Sequence, residues 1–232
     1  MTSLAVRSRQ EEQMDAADLD PAVYAAVVAD LARLNHLLMT YRPTLGFLRR
    51  ALAGRKAFRL LDVGFGQGDM LRAIARWAGR RGIAAELVGV DLNPRSEAAA
   101  GAVTPPDLPI AYRTGDYATC AGEGWDFVVS SLVTHHMSDD EIHAFLRFME
   151  AEARLGWFVN DLHRHGFAYW GFPLLARIMG WHRMVREDGR LSIARAFRPE
   201  EWWRLILGAD IDVEAPDVVR RFPFRLCVER LR

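Results

Sequence analysis

The stretch Leu60-Leu61-Asp62-Val63-Gly64-Phe65-Gly66-Gln67-Gly68 decides the architecture. A short apolar run feeds straight into alternating glycines, and Asp69 to Ala78 then carries helical spacing. Phe58 to Val63 is therefore predicted to be a buried parallel strand. Glycine serves where a backbone must turn tightly or lie against a ligand, because a Cβ would collide there. The helix beyond the turn presents free amides to whatever lies over it. Dinucleotide, nucleotide and adenosyl binders all use a strand, a glycine turn and a helix, so spacing has to discriminate between them. The dinucleotide fingerprint is GxGxxG/A, and counted from Gly64 its third small residue falls on Asp69. The spacing here is GxGxG, with Asp62 in front of it. A carboxylate at that strand end suits a ligand carrying ammonium and sulfonium charges and repels a pyrophosphate.

Working outward, strands and helices alternate. Glu86–Val90, Ala111–Thr114, Trp125–Ser131 and Gly156–Asn160 read as further strands, with helices over Ser96–Ala102 and Asp139–Glu152 between them. Such alternation implies crossovers and a mostly parallel sheet. Asp20-Pro21 starts a helix to about Met39, the Asp capping the first amides and the Pro wasting none. A second helix follows Pro43. Beyond the fifth strand come an aromatic helix over Phe167–Gly180, a linker at Arg186–Arg190 leading to Ser192–Ala196, a helix from Pro199 through Leu207, and strands at Asp212–Glu214 and Phe224–Glu229. Residues 1–19 are polar and expected to be mobile until tied to the body.

Acids recur at the strand ends. Asp91, in Val90-Asp91-Leu92-Asn93-Pro94, stands about 20 residues after the glycine turn, where ribose hydroxyls bind in this architecture; its carboxylate either accepts from a cis-diol or caps the helix after Pro94. Asp116, in Gly115-Asp116-Tyr117, either accepts from an adenine amino group or forms a turn.

These residues carry a resemblance. Leu61–Gly68 resembles the first motif of class I S-adenosylmethionine-dependent methyltransferases, Val90–Pro94 the second, and Gly115–Tyr117 the adenine-contacting one. The segment Trp125 to His136 is similar to the fourth-strand region, and its double His resembles the ubiquinone/menaquinone-biosynthesis type. The likeness covers residues 58–160. It implies a Rossmann-like α/β fold with a seven-stranded, mostly parallel sheet whose last hairpin holds one antiparallel strand. It also implies S-adenosyl-L-methionine as cofactor, held by Asp62, Gly64, Phe65, Gly66, Gly68, Asp91, Leu92, Asp116, Tyr117 and Ser131. Phe65 departs from the Cys or Thr frequent in the family and is expected to shape the pocket beside the methionine moiety.

Methyl transfer is an in-line displacement in which the cofactor carries the hard chemistry, and the protein must align the partners and exclude water. His135 and His136 follow the fourth strand, where they act as base and substrate contact or merely bond the backbone. Asn160-Asp161-Leu162-His163-Arg164-His165 follows the fifth. There His163 is a second base candidate with Asp161 orienting it, and Arg164 pairs with a substrate anion or with Asp161; a plain Asp–Arg clasp is the alternative. The resemblance makes the aromatic helix, with Tyr169 and Trp170, an acceptor-pocket wall; ordinary core or a dimer interface is the competing reading. Asn35, His36, Tyr41 and Arg42 belong to an N-terminal pair of helices that either closes as a lid or simply packs.

Of 232 residues, half are hydrophobic, and 30 basic residues balance 30 acidic ones. The size fits one domain: an N-terminal helical lid over 1–54, a cofactor core over 55–160 and a substrate-side insertion with the last strands over 161–232. Zero net charge offers no footprint for nucleic acid, and Arg49–Arg50, Arg80–Arg81 and Arg220–Arg221 read as solvated ends. Cys120 and Cys227 form no disulfide framework, and His163-x-His165 has no partner spacing for zinc, so no metal is expected. Met1–Gln13 lacks a signal-peptide core and no apolar run is long enough to span a membrane, which places the chain in the cytoplasm. The expected activity is methylation of a small apolar acceptor, at an aromatic or polyketide-like hydroxyl of secondary metabolism or at a carbon of a quinone-type ring. An NAD-dependent oxidoreductase would need the missing third small residue, and the chain holds a single lysine, Lys56. A non-catalytic adenosyl-binding protein is the third class.

Overall fold

The computed structural model describes residues 4–16, 18–181 and 183–232. Its order is α1 (Pro21–Leu37), α2 (Tyr41–Ala51), β1 (Ala57–Val63), α3 (Asp69–Gly79), β2 (Ala84–Asp91), α4 (Pro94–Gly101), β3 (Ile110–Thr114), β4 (Phe127–Ser131), α5 (Asp139–Glu152), β5 (Gly156–Leu162), α6 (Gly166–Ile178), α7 (Arg183–Arg195), α8 (Pro199–Gly208), β6 (Asp217–Arg221) and β7 (Arg225–Leu231). The strands form one seven-stranded sheet in the order β3-β2-β1-β4-β5-β7-β6. The first five pair in parallel, and β7 runs antiparallel to both β5 and β6. Strand order reverses between β1 and β4, and a crevice opens at the carboxyl ends on either side of such a switch.

The two faces of the sheet follow from the period-2 alternation of the strands. Leu61, Val63, Val128, Trp157 and Val159 pack with Phe145 and Leu146 of α5 and Trp202 of α8. Leu60, Phe58, Phe127, Val129 and Phe158 pack with Phe47 and Leu48 of α2 and Leu71 and Ile74 of α3. A separate cluster joins α1, α6 and α7, with Val27 and Leu34 of α1 against Ala176 of α6, Val185 of α7 and Trp181 between those two helices. No single helix among the described residues is long and apolar enough to cross a membrane.

Two expectations are corrected. The segment Arg186–Arg190 is part of helix α7 rather than a linker. Its inward positions include Asp188 and Ser192, whose polarity hides the apolar periodicity. They are buried because Asp188 accepts from the amides of Gln13 and Met14 and Ser192 donates to Glu12. Asp212–Glu214 forms a turn, and the sixth strand lies at Asp217–Arg221. The N-terminal segment is docked: Arg7 donates to the carbonyls of His135, Met137 and Arg195, and Arg95 donates to those of Ala16 and Leu19.

Candidate active site

At the switch point the glycine turn is shaped by what stands around it. Gly64 (φ +77°) and Gly66 (φ +54°) are both in left-handed backbone that favours glycine. A Cβ on Gly64 would collide with Val133, whereas one on Gly66 would point into open space. That open space is the cradle. The amide of Gly66 donates to Asp91 Oδ2 at 2.8 Å, and that of Asn93 to Oδ1 at 2.9 Å. Asp91 therefore does not cap α4; the side chain of Asn93 does, accepting from the Arg95 amide at 3.1 Å. Each Asp91 oxygen retains a lone pair for a diol.

Three carboxylates gather under the turn. Asp62 is 1% exposed, and its Oδ1 has no hydrogen-bond partner among the described residues. Burial, with Asp69 and Asp91 nearby, pushes its carboxyl up to about 8. Burial also raises Asp69, which accepts from Asn35 at 3.2 Å, and Asp91. A group of acids raised in this way is what a cationic ligand relieves.

A cavity of about 390 Å³ runs from this turn to a chamber under the helical cluster. Gly64, Phe65, Gly66, Asp91, Leu92 and Ser131 line it, as do Leu31 of α1, Phe172 of α6 and Val185 and Ile193 of α7. Leu132, on the same wall, has φ +62°, a conformation costly for a residue with a Cβ. Glu12, Asp15, His135 and His136 form a further part of its wall. His135 is buried, its Nδ1 2.7 Å from Asp161 Oδ1. Asp161 Oδ2 accepts from the His135 amide at 2.9 Å and from Thr134 Oγ1. Burial disfavours the Asp161 carboxylate, yet His135 and these donors outweigh it and hold the group well below the usual carboxylate range. His136 places Nδ1 2.9 Å from Asp15 Oδ2. Burial lowers its imidazole, but Asp15 and Glu12 reverse the shift and raise it.

The expected site residues divide accordingly. Gly68 and Asp62 support the turn from behind the wall, where a Cβ on Gly68 would meet Tyr112. Asp116 is exposed and caps the Ala118 amide at 2.8 Å, while Tyr117 packs on Phe145 and Phe148; neither reaches the cavity. Of Asn35, His36, Tyr41 and Arg42, Asn35 alone lines it.

The group after the fifth strand is rearranged. β5 continues to Leu162, so its pleat turns Asp161 and His163 away from the side on which Leu162 faces the cavity. Asp161 consequently holds His135 rather than His163, and burial lowers the His163 imidazole away from the cavity wall. Arg164 is buried against Glu201 at 2.6 Å and donates to the carbonyls of Leu4 and Ala196, so it is paired with neither Asp161 nor the cavity. Tyr169 packs with Ile193 and Ala194, and Trp170 is 59% exposed; α6 reaches the cavity through Phe172.

Nothing in the sequence singled out Glu12, Asp15 or Arg225. Arg225 lines the cavity at 2% exposure, and its Nε and Nη1 have no hydrogen-bond partner among the described residues. Burial lowers the pKa of this guanidinium against the opposing pull of Asp161, and buried N–H groups left without acceptors are costly unless a ligand anion meets them.

Residues 60–154 match the sequence profile of the methyltransferase domain family. That segment runs from β1 to the end of α5 and includes the glycine turn and Asp91. Solved methyltransferases share this fold. One is magnesium protoporphyrin IX methyltransferase from Synechocystis PCC 6803 with bound SAH, 16% identical over 94% of this chain and 90% of that one, with a TM-score of 0.58. Human N-acetylserotonin methyltransferase in complex with SAM is 11% identical over 92% of this chain and 56% of its own, at 0.64. A SAM dependent methyltransferase from Aquifex aeolicus is 15% identical over 92% and 99%, at 0.61. No curated protein matches the sequence. The unpartnered Asp62 oxygen and the open face of Gly66 fit an adenosyl ligand of the kind the first two of those structures hold.

Proposed function

We propose that the protein transfers the methyl group of S-adenosylmethionine to a hydroxyl of a small, largely apolar acceptor, aromatic or polyketide-like. The observation that carries this reading is the continuity of the cavity from the Gly64–Gly66 turn and Asp91 to Glu12, His135 and His136. When bound, the cofactor supplies a methyl group on a positively charged sulfur, which departs as a neutral thioether. Asp91 receives the ribose diol, Gly66 lets the backbone lie against the ligand, and Asp62 and Asp69 offset its positive charge. Leu31, Phe172, Val185 and Ile193 hold the acceptor and keep water out of the chamber. The hydroxyl proton is drawn toward Glu12, His135 and His136 as the new oxygen–carbon bond forms. Arg225 meets a carboxylate, from the methionine end of the cofactor or from the acceptor.

The test is label transfer from methyl-labelled S-adenosylmethionine to a panel of phenols, hydroxylated polyketides and quinols. An oxygen-bound methyl in the product is expected by NMR. A carbon-bound methyl would shift the reading to ring methylation. Failure of the protein to bind S-adenosylhomocysteine would remove the methyl-transfer reading altogether.

A further inference from the structure

The two imidazoles of the cavity wall are oriented in the same way. Each presents Nδ1 to a carboxylate, His135 to Asp161 at 2.7 Å and His136 to Asp15 at 2.9 Å. Each Nε2 is thereby turned toward Glu12. His135 Nε2 stands 3.6 Å from Oε1 and His136 Nε2 3.9 Å from Oε2. Those separations are too long for hydrogen bonds. One ligand atom from each of the three residues lies within 4.8 Å of the other two.

Zinc bonds of 2.0–2.1 Å in a tetrahedron space neighbouring ligand atoms by about 3.4 Å. The two imidazoles approach different oxygens of Glu12, and with one ligand atom from each residue the separations would close by at most about 1.4 Å to reach that spacing. We propose that Glu12, His135 and His136 form a divalent transition-metal site, zinc by its ligand chemistry, with a fourth position facing the cavity. Two imidazoles and one carboxylate select such an ion over magnesium or calcium, which prefer all-oxygen shells. Three protein ligands with an open position mark a catalytic type of site rather than a closed structural one.

The surroundings orient these ligands as a metal requires. Metal-bound histidines donate their other ring N–H to a carboxylate or carbonyl, which sets tautomer and orientation; here both do. Ser192 Oγ donates to Glu12 Oε1 at 2.8 Å and fixes the carboxylate. The facing cation is Arg195, with Nε 4.0 Å from Glu12 Oε1. Its donors are directed to the carbonyls of His135, His136 and Gln10. Arg7 donates to backbone carbonyls of the same turn. Glu12, Asp15 and Asp161 are balanced by Arg7, Arg195 and Arg225, so the case for a cation rests on ligand geometry rather than on net charge. An acceptor oxygen in the open position would lose its proton more readily; that consequence rests on the methyl-transfer reading, whereas cation binding does not.

The experiment uses untagged full-length protein, stripped with a chelator and titrated with zinc chloride against a chromophoric competitor. One zinc per chain is expected. Glu12→Gln and His136→Asn should each weaken it at least ~100-fold, and Asp161→Asn, acting through His135, roughly 10- to 100-fold. Cobalt in place of zinc should give the strong visible absorption of a four-coordinate site in the wild type and lose it in Glu12→Gln. S-adenosylhomocysteine calorimetry and circular dichroism on each variant separate a lost ligand from a lost fold. The proposal is overturned if the wild type takes up no stoichiometric zinc, or if folded Glu12→Gln and His136→Asn bind it as well as the wild type. Zinc uptake dependent on Glu12 in a protein with no S-adenosylhomocysteine affinity would retain the metal site and discard the transferase reading.

Discussion

Two parts of the cavity wall are built by different means. At the glycine turn the work is done by backbone and by acids at adjacent strand ends, all between Asp62 and Asn93. In the other, Glu12, His135, Asp161 and Arg225 come from four separated parts of the chain. The first is held by the sheet, whose ladder defines where β1 and β2 stop. The second depends on a docked N-terminal segment and on helices joined mainly to one another. A site made of local backbone tolerates little change in its own residues. A site assembled from remote side chains can lose one member while the others stay in place.

Substitutions can break this contrast. The largest effect is expected for Gly66→Val, which puts a branched side chain at φ +54° and into the open space above the turn. S-adenosylhomocysteine affinity should fall at least ~100-fold by calorimetry, beyond the ~1–2 kcal/mol of backbone strain. Affinity within threefold of the wild type would mean that the cofactor does not lie over Gly66. Next is Arg225→Met, which removes a buried guanidinium whose Nε and Nη1 have no hydrogen-bond partner among the described residues. Thermal melting should rise while ligand affinity falls by ~10-fold or more, the weight of a charge-assisted hydrogen bond. Loss confined to S-adenosylhomocysteine points to the cofactor carboxylate; loss confined to the acceptor KM points to the substrate. A fall in melting temperature would show that Arg225 is satisfied within the fold.

The smallest effect concerns pH. Asp62, normally near 3.8, is raised to about 8 by burial and by Asp69 and Asp91. Its stabilising contribution is therefore full below its unfolded pKa and is lost as pH rises through the folded one. Over one pH unit, from 6.5 to 7.5, the ligand-free wild type should lose a few degrees of melting temperature relative to Asp62→Asn, since the slope there is ~1.4 kcal/mol per pH unit and ~1 kcal/mol corresponds to ~2–4 °C at this size. Parallel curves for the two proteins would contradict the raised carboxyl.

This division also explains what could be read in the sequence. The glycine turn, Asp91 and the helix boundaries of α3 and α5 are legible because they answer local demands: positive φ, an acid at a strand end, capping and helical spacing. Ser138, for instance, forms a capping box with Glu141 at the start of α5. The acceptor side answers no local rule. Glu12 sits in a polar stretch without periodicity, and its value appears when α7 brings Ser192 to it. His163 and Arg164 looked suitable because they follow β5, but the strand's alternation carries His163 to the other side and Arg164 is drawn to Glu201. The aromatic character of α6 was legible and its rotation was not, so Phe172 faces inward where Trp170 was expected.

The cluster joining α1, α6 and α7 is distinct from the two clusters that sandwich the sheet. Changes at Leu31, Phe172 or Val185 are therefore absorbed by the roof, and their energetic cost should add to, rather than multiply with, changes beneath it. A chain organised in this way can exchange its guest chamber by drift in three helices while the floor that grips the nucleoside stays unaltered.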